Sequence, residues 1–249
     1  MADSLEILYQ DEWLVAVNKP AGMLVHKSEM DKYELVNAQQ VLRKQLKKRI
    51  YLLHRLDKPT SGVLLFALNR DTAREMSKAI EDKQTIKTYL VVVRGYTAEE
   101  EVIDYPLTKM WDKMTDQQAV KDAPAQSAIT EYKRLATVEL PFQVAKHPTT
   151  RYSLIQVRPL TGRNRQIRRH MKHIFHHVVG DTTHGDGKHN VFFRQQFDCH
   201  RLLLHAVKME FIHPVTGQSL AITAPLDASF SDVVAKLGWK AALENILPE

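Results

Sequence analysis

The sequence predicts an α/β (α+β) chain built on a mixed, largely antiparallel central sheet with peripheral helices. Three observations predict it. Runs rich in β-branched residues and of strand length recur from the first ten residues to beyond residue 200. Stretches with apolar residues at helical spacing fall between them, and short turn signals rather than long linkers separate the two kinds. No internal repeat, low-complexity tract or Gly/Ser linker divides the 249 residues, so the expected organisation is one domain over 1–249.

In order, residues 5–9 and 13–17 read as short strands around Gln10-Asp11-Glu12, closed by the turn Asn18-Lys19-Pro20-Ala21-Gly22. The 34–49 stretch carries Leu35, Val36, Ala38, Val41, Leu42 and Leu46 at helical spacing, with lysines crowding the C-terminal end where they complement the helix dipole. A continuous apolar run at 62–68 has strand length, and a helix over 69–83 follows it with Asn69 or Asp71 as N-cap. Further strands are read at 88–93, 128–135 and 152–157 from their β-branched content. The polar 112–126 stretch, with Pro124, reads as an extended insertion or surface loop. A helix at 163–175, a strand at 202–212 and a last helix at 227–237 complete the reading.

Composition narrows the function classes. At 44% apolar and 26% charged residues there is no case for disorder. The single cysteine, Cys199, excludes an internal disulfide and a cysteine-based zinc site and fits a reducing compartment, so the expected location is cytoplasmic. No leader is visible in the first twelve residues, and no segment approaches the roughly 20 apolar residues of a membrane span. The net charge of +6 is unevenly placed: 43–58 holds seven Lys/Arg and one acid, and 151–172 holds seven Lys/Arg and none. Two such clusters form either one phosphate-tracking surface or two solvated faces.

The segment richest in chemistry is His54-Arg55-Leu56-Asp57-Lys58-Pro59-Thr60-Ser61-Gly62, a polar loop between a basic helix and a buried strand. Pro59 and Gly62 fix a tight path, and Thr60 and Ser61 offer hydroxyls that hold the preceding carboxylate in one orientation. On these grounds alone Asp57 is either a cap or ion-pair partner or a catalytic carboxylate.

The His-Arg-Leu-Asp run followed by Thr-Ser-Gly resembles the signature of the RluA-type pseudouridine synthases. The resemblance extends through Asn18-Lys19-Pro20-Ala21-Gly22 with Val25-His26, through Lys87-Thr88-Tyr89, and through the run from Thr161 and Gly162 by Arg163, Asn164, Arg165, Gln166, Ile167 and Arg168 to His170. Gly180-Asp181 and Arg201-Leu202-Leu203-Leu204-His205-Ala206 continue it in the same order along the chain. It implies the pseudouridine synthase fold with a catalytic cleft and a cofactor-independent RNA isomerase with no metal. It also implies Asp57 as the essential aspartate, Tyr89 as the active-site tyrosine and Arg168 as the basic partner of the aspartate. Arg55, Arg163, Arg165, Gln166 and Ile167 become the expected substrate-binding residues, the arginines for phosphates or the gap left by a flipped base and Ile167 as a pocket wall.

Two departures matter. Arg165 stands where the family usually has His, and can serve a phosphate but cannot accept a hydrogen bond as neutral His can. His184 stands in Gly180-Asp181-Thr182-Thr183-His184-Gly185 where the family usually has Tyr. This stretch, the 13–18 opening and Pro148-Thr149-Thr150-Arg151-Tyr152 look like the tRNA pseudouridine-65 (TruC-type) branch, whose resemblance implies a structured RNA, tRNA, as partner. No separate S4-type RNA-binding domain, membrane association or obligatory protein partner is expected. The rival readings are a ribosomal RNA synthase of the same family and a non-catalytic RNA-binding or folding protein. A metal enzyme, in which His170, His173, His176 and His177 share one helix face, is the weaker alternative, since no His-Glu-x-x-His or cysteine pair accompanies them.

Overall fold

The computed structural model describes residues 4–26, 36–109, 124–244 and 246–247. Its strands are β1 (Glu6–Gln10), β2 (Leu14–Lys19), β3 (Tyr51–Leu52), β4 (Ser61–Ala67), β5 (Ile86–Arg94), β6 (Glu100–Asp104), β7 (Ile129–Leu140), β8 (Thr150–Pro159), β9 (Leu204–Ile212) and β10 (Ser219–Thr223). The helices are α1 (Ala38–Leu46), α2 (Arg70–Glu81), α3 (Gln166–His173), α4 (Gly187–Phe197) and α5 (Ala228–Lys236). One sheet runs β1-β2-β4-β9-β5-β8-β7-β6, with β10 on β9 and β3 on β4. Every named pairing is antiparallel except β4 with β9. The expected mixed, largely antiparallel sheet is therefore the observed one.

Alternation along the strands assigns the helices to faces. Val15 and Val17 of β2, Leu64 and Phe66 of β4, and Val91 and Val93 of β5 pack with α1 (Ala38, Val41, Leu42) and α3 (Ile167, Met171). The alternate residues Leu14, Ala16, Val63 and Leu65 pack with Met76 of α2, and Leu90 and Val92 pack with α4 and α5. All seven residues of β4 are buried, which explains why its sequence is a continuous apolar run.

The site is placed by a seam in this sheet. β4 pairs with β9 only at Ser61–His205 and Gly62–Ala206, after which β3 and β10 take over the free edges. Gly62 has φ +111°, and a Cβ there would run into the Ala206 backbone, so the close approach of the two strands requires glycine. Tyr89 of β5 pairs with Ala206 on its other side, which puts Gly62, Ala206 and Tyr89 in one row across the seam.

Several sequence expectations shift. The first helix begins at Ala38, where the Asn37 side chain accepts from Gln40 N at 3.0 Å; Leu24 bridges to Asn37, so Val36 belongs to the approach rather than the helix. Asn69, not Asp71, caps α2. The 163–175 helix shortens to Gln166–His173, so His176 and His177 leave it and the four histidines do not share one face. Among the described residues no group of His, Cys, Asp or Glu is arranged to hold a metal ion. The proposed 112–126 insertion lies outside the described residues up to 123, and Gln126 bridges to Leu107. No helix of the described residues is long and apolar enough to cross a membrane.

Candidate active site

Asp57 lies in the loop that enters β4, with Thr60 N donating to Asp57 O at 3.0 Å in a tight turn. Three cations hold this loop, Lys19 and Arg168 buried and Arg201 partly so. Lys19, the last residue of β2 and fully buried, donates from Nζ to Pro20 O (2.9 Å), Met23 O (2.8 Å) and Lys58 O (3.1 Å), one acceptor for each ammonium hydrogen. Burial pushes its pKa down to about 7; the Arg201 charge adds to this and Asp57 opposes it. Arg201 donates from Nη2 to Ser61 Oγ (2.8 Å) and pairs through Nη1 with Asp227, the N-cap of α5. Ser61 Oγ in turn lies 2.7 Å from His205 Nδ1, and His205 Nε2 lies 3.2 Å from Ala224 O. A carbonyl only accepts, so Nε2 carries the hydrogen and the Ser61 hydroxyl donates to Nδ1.

The third cation is Arg168, in the first turn of α3 and 4% exposed. Its Nε and Nη2 donate side-on to Asp181 Oδ2 and Oδ1 at 2.7 Å each, and the remaining Nη1 donates to Asp57 Oδ2 at 2.9 Å. Burial opposes the Arg168 charge, but the hydrogen bonds and charges of Asp181 and then Asp57 prevail and raise its pKa. Burial likewise opposes the Asp181 carboxylate, and Arg168 together with the His184 and Thr183 amides prevails and lowers its pKa. Asn190 of α4 closes this arrangement, accepting from Gly180 N and donating to Asp181 O, both at 2.8 Å. The result is a carboxylate, Asp57, with one oxygen braced and about a quarter of its side chain open to the cleft.

Tyr89 is buried beside it. Burial pushes the phenol pKa up and the Asp57 charge pushes it further, so the hydroxyl keeps its proton at neutral pH. His54 is held neutral, its pKa pushed down to about 3 by burial and by the Lys87 charge, and its Nε2 accepts from Leu65 N at 3.2 Å to tie the loop's entry to β4.

A model of the family described as RNA pseudouridylate synthase matches residues 13–173, more than half of the chain, including Asp57, Tyr89 and Arg168. The chain belongs to the RNA pseudouridylate synthase family. This synthase is 51% identical over 239 residues to tRNA pseudouridine synthase C of Vibrio cholerae, covering 96% of this chain and 98% of that one. It is 49% identical over 235 residues to the protein of the same name from Haemophilus ducreyi, covering 94% and 96%. In fold it resembles human RNA Pseudouridylate Synthase Domain Containing 4, with a TM-score of 0.70 at 24% identity over 94% of this chain and 93% of that one. The expected family, fold and isomerase class all hold.

The synthase brings Asp57, Arg168 and Tyr89 together, while the expected substrate-binding residues divide. Arg55 and Arg163 are exposed, Arg163 Nε donating to Ser127 O at 3.0 Å, and Arg165 starts α3 in a left-handed conformation, φ 53°. Ile167 is buried in the same hydrophobic core as Leu56 and Tyr89. Gln166 is buried at the start of α3. Its Oε1 accepts from Thr161 Oγ1 and Arg163 N, and its Nε2 donates to Ile129 O and Thr130 Oγ1, so all its polar capacity is used inside the protein. The sequence reading did not anticipate Asp181 as the clamp on Arg168 or Lys19 as the clasp on Lys58, although both lie in stretches already singled out.

Proposed function

We propose that this synthase isomerises a uridine of tRNA, uridine 65 at the base of the acceptor stem, with Asp57 as the reacting carboxylate. The observation that carries the chemical reading is the braced Asp57–Arg168–Asp181 arrangement beside Tyr89 at the β4–β9 seam. The choice of RNA is supported by similarity over nearly the whole length to proteins named tRNA pseudouridine synthase C, and the position by resemblance to the pseudouridine-65 branch.

Isomerisation conserves atoms: the C1′–N1 bond breaks, a C1′–C5 bond forms, and the proton lost from C5 is balanced by one gained at N1. No redox partner or group acceptor enters. In this reading Asp57 takes the ribose C2′ proton as the C1′–N1 bond breaks and returns it to C2′ as the C1′–C5 bond forms. Tyr89 stacks on the freed uracil and gives its hydroxyl proton to N1 while recovering one from C5, and Ile167 keeps the base from leaving. Arg168, fixed by two carboxylates, cannot swing away and so holds Asp57 in register. Unstacking the nucleotide costs a few kcal/mol, which phosphate contacts from Arg55, Arg163, Arg165 and the cations at the C-terminal end of α1 offset. There Arg43, Lys44, Lys47, Lys48 and Arg49 line one shallow concavity.

The test offers purified protein an unmodified tRNA transcript, a ribosomal RNA fragment and a minimal stem-loop at several salt concentrations. The tRNA is modified fastest, with efficiency falling steeply as salt rises. Preferred modification of ribosomal RNA overturns the tRNA assignment and leaves the Asp57 chemistry standing.

A further inference from the structure

Phe175 is the most exposed large apolar side chain among the described residues, at 76%, and it occupies a backbone position that disfavours it. Helix α3 ends in two hydrogen bonds, Phe175 N to Lys172 O (3.0 Å) and His176 N to Met171 O (2.8 Å), which are the paired bonds of a Schellman cap. The residue after the C-cap in that motif is left-handed and is usually glycine; here it is Phe175, at φ 62°. A bulky side chain at this position strains the backbone while burying little apolar surface, so stability alone does not account for it.

The surroundings indicate what the ring meets. The 151–172 stretch leading to it holds seven Lys/Arg and no acid, the last of them Lys172, which stands between His170 and His173 in the last turn of α3. Tyr105 stacks on His173, ring centroids 3.6 Å apart and 17° from parallel, and Arg169 Nη2 lies 3.3 Å from Thr108 Oγ1. Aromatic rings among cations make a stacking platform for nucleic acid. The same helix carries Arg168, which holds Asp57, in its first turn and Phe175 two residues beyond its last, so one rigid element joins the exposed ring to the carboxylate.

We propose that Phe175 stacks on a nucleobase of the substrate RNA flanking the target uridine, fixing the register in which that uridine reaches Asp57. The proposal deepens the RNA reading of the cleft and is independent of which RNA is the substrate.

Its test compares Phe175→Gly, Phe175→Leu and Phe175→Trp with the unaltered protein, on whichever of the tRNA and ribosomal transcripts the unaltered protein modifies faster. That choice of RNA judges the tRNA assignment, whereas the ratio of variant to unaltered protein judges Phe175. Phe175→Gly, freed of the left-handed strain, melts no lower than the unaltered protein, yet its RNA affinity and kcat/KM fall about 5- to 150-fold, the loss of one base–aromatic stack. Phe175→Leu shows the same loss, and Phe175→Trp keeps the affinity and adds a fluorescence signal that RNA quenches. Unchanged affinity and kcat/KM in Phe175→Gly overturn the proposal, as does a Phe175→Trp protein that is as weak as the glycine variant and unquenched. Loss of self-association in Phe175→Gly with RNA turnover intact assigns the ring to a protein contact instead.

Discussion

Arg168 reaches Asp57 with a single nitrogen, Nη1 to Oδ2 at 2.9 Å, because its other two donor nitrogens are gripped side-on by Asp181. The orientation of the Asp57 carboxylate is thus set by a second, fully buried carboxylate from a different loop. Asp181→Ala leaves Arg168 buried with one partner, and removing half of a buried pair costs about 3–5 kcal/mol. Denaturant unfolding shows this as a lower midpoint, with turnover falling further than RNA affinity. Asp181→Asn, which keeps an acceptor, loses less of both. An Asp181→Ala protein of unaltered stability and rate removes Asp181 from the account.

Tyr89 contributes a ring and a hydroxyl, and the two separate. Tyr89→Phe keeps the stacking surface and loses much of the product-forming rate, because the proton that burial and Asp57 hold on the phenol is gone. Tyr89→Leu also weakens binding of the flipped nucleotide. Single-turnover kinetics alongside RNA binding distinguish them, and near-normal behaviour of both variants returns Tyr89 to a packing role.

Acid sensitivity follows from His205, whose pKa burial pushes down to about 4. The unfolded chain therefore binds a proton there between about pH 6.5 and 4 while the folded protein does not. Stability from this group is complete above pH 6.5 and is lost as pH falls through 4, a loss of roughly 3 kcal/mol. Protonated Nδ1 also can no longer accept from Ser61. Thermal melts from pH 7 to 4 descend, and His205→Gln descends less steeply; equal slopes contradict the assignment.

Chelation is a separate check on the chemistry. A carboxylate-driven isomerisation keeps its rate in EDTA once RNA folding is controlled, and a loss restored by zinc alone shows that a metal takes part.

Much of this was legible in the sequence, for identifiable reasons. Strand β4 was visible because both its faces are covered and its seven residues are all apolar or small. The start of α2 was bracketed by its two cap candidates, Asn69 and Asp71, of which Asn69 caps it. Strand β6, Glu-Glu-Val-Ile-Asp at the sheet edge, buries only Ile103 and left no alternating pattern to read. Helix α4 was missed because Phe192 and Phe193 are adjacent rather than helically spaced, and its signal is the Asp186 cap, whose side chain accepts from Lys188 N. At the site, the Asp57 loop is a local motif and stood out. The Arg168–Asp181 grip closes over 13 positions of chain through a left-handed Gly180, and Lys19 reaches Lys58 across 39, so neither pairing leaves a local trace.

The central claim is that the Asp57 carboxylate performs the isomerisation, and Asp57→Asn tests it most directly by keeping the side chain's shape while removing its charge. The measurement is pseudouridine formed in a single turnover with enzyme in excess over RNA, with the melting temperature and RNA affinity of the same preparation. The account predicts a folded protein that binds RNA and forms no pseudouridine. Turnover above a few per cent of the unaltered protein's would contradict it.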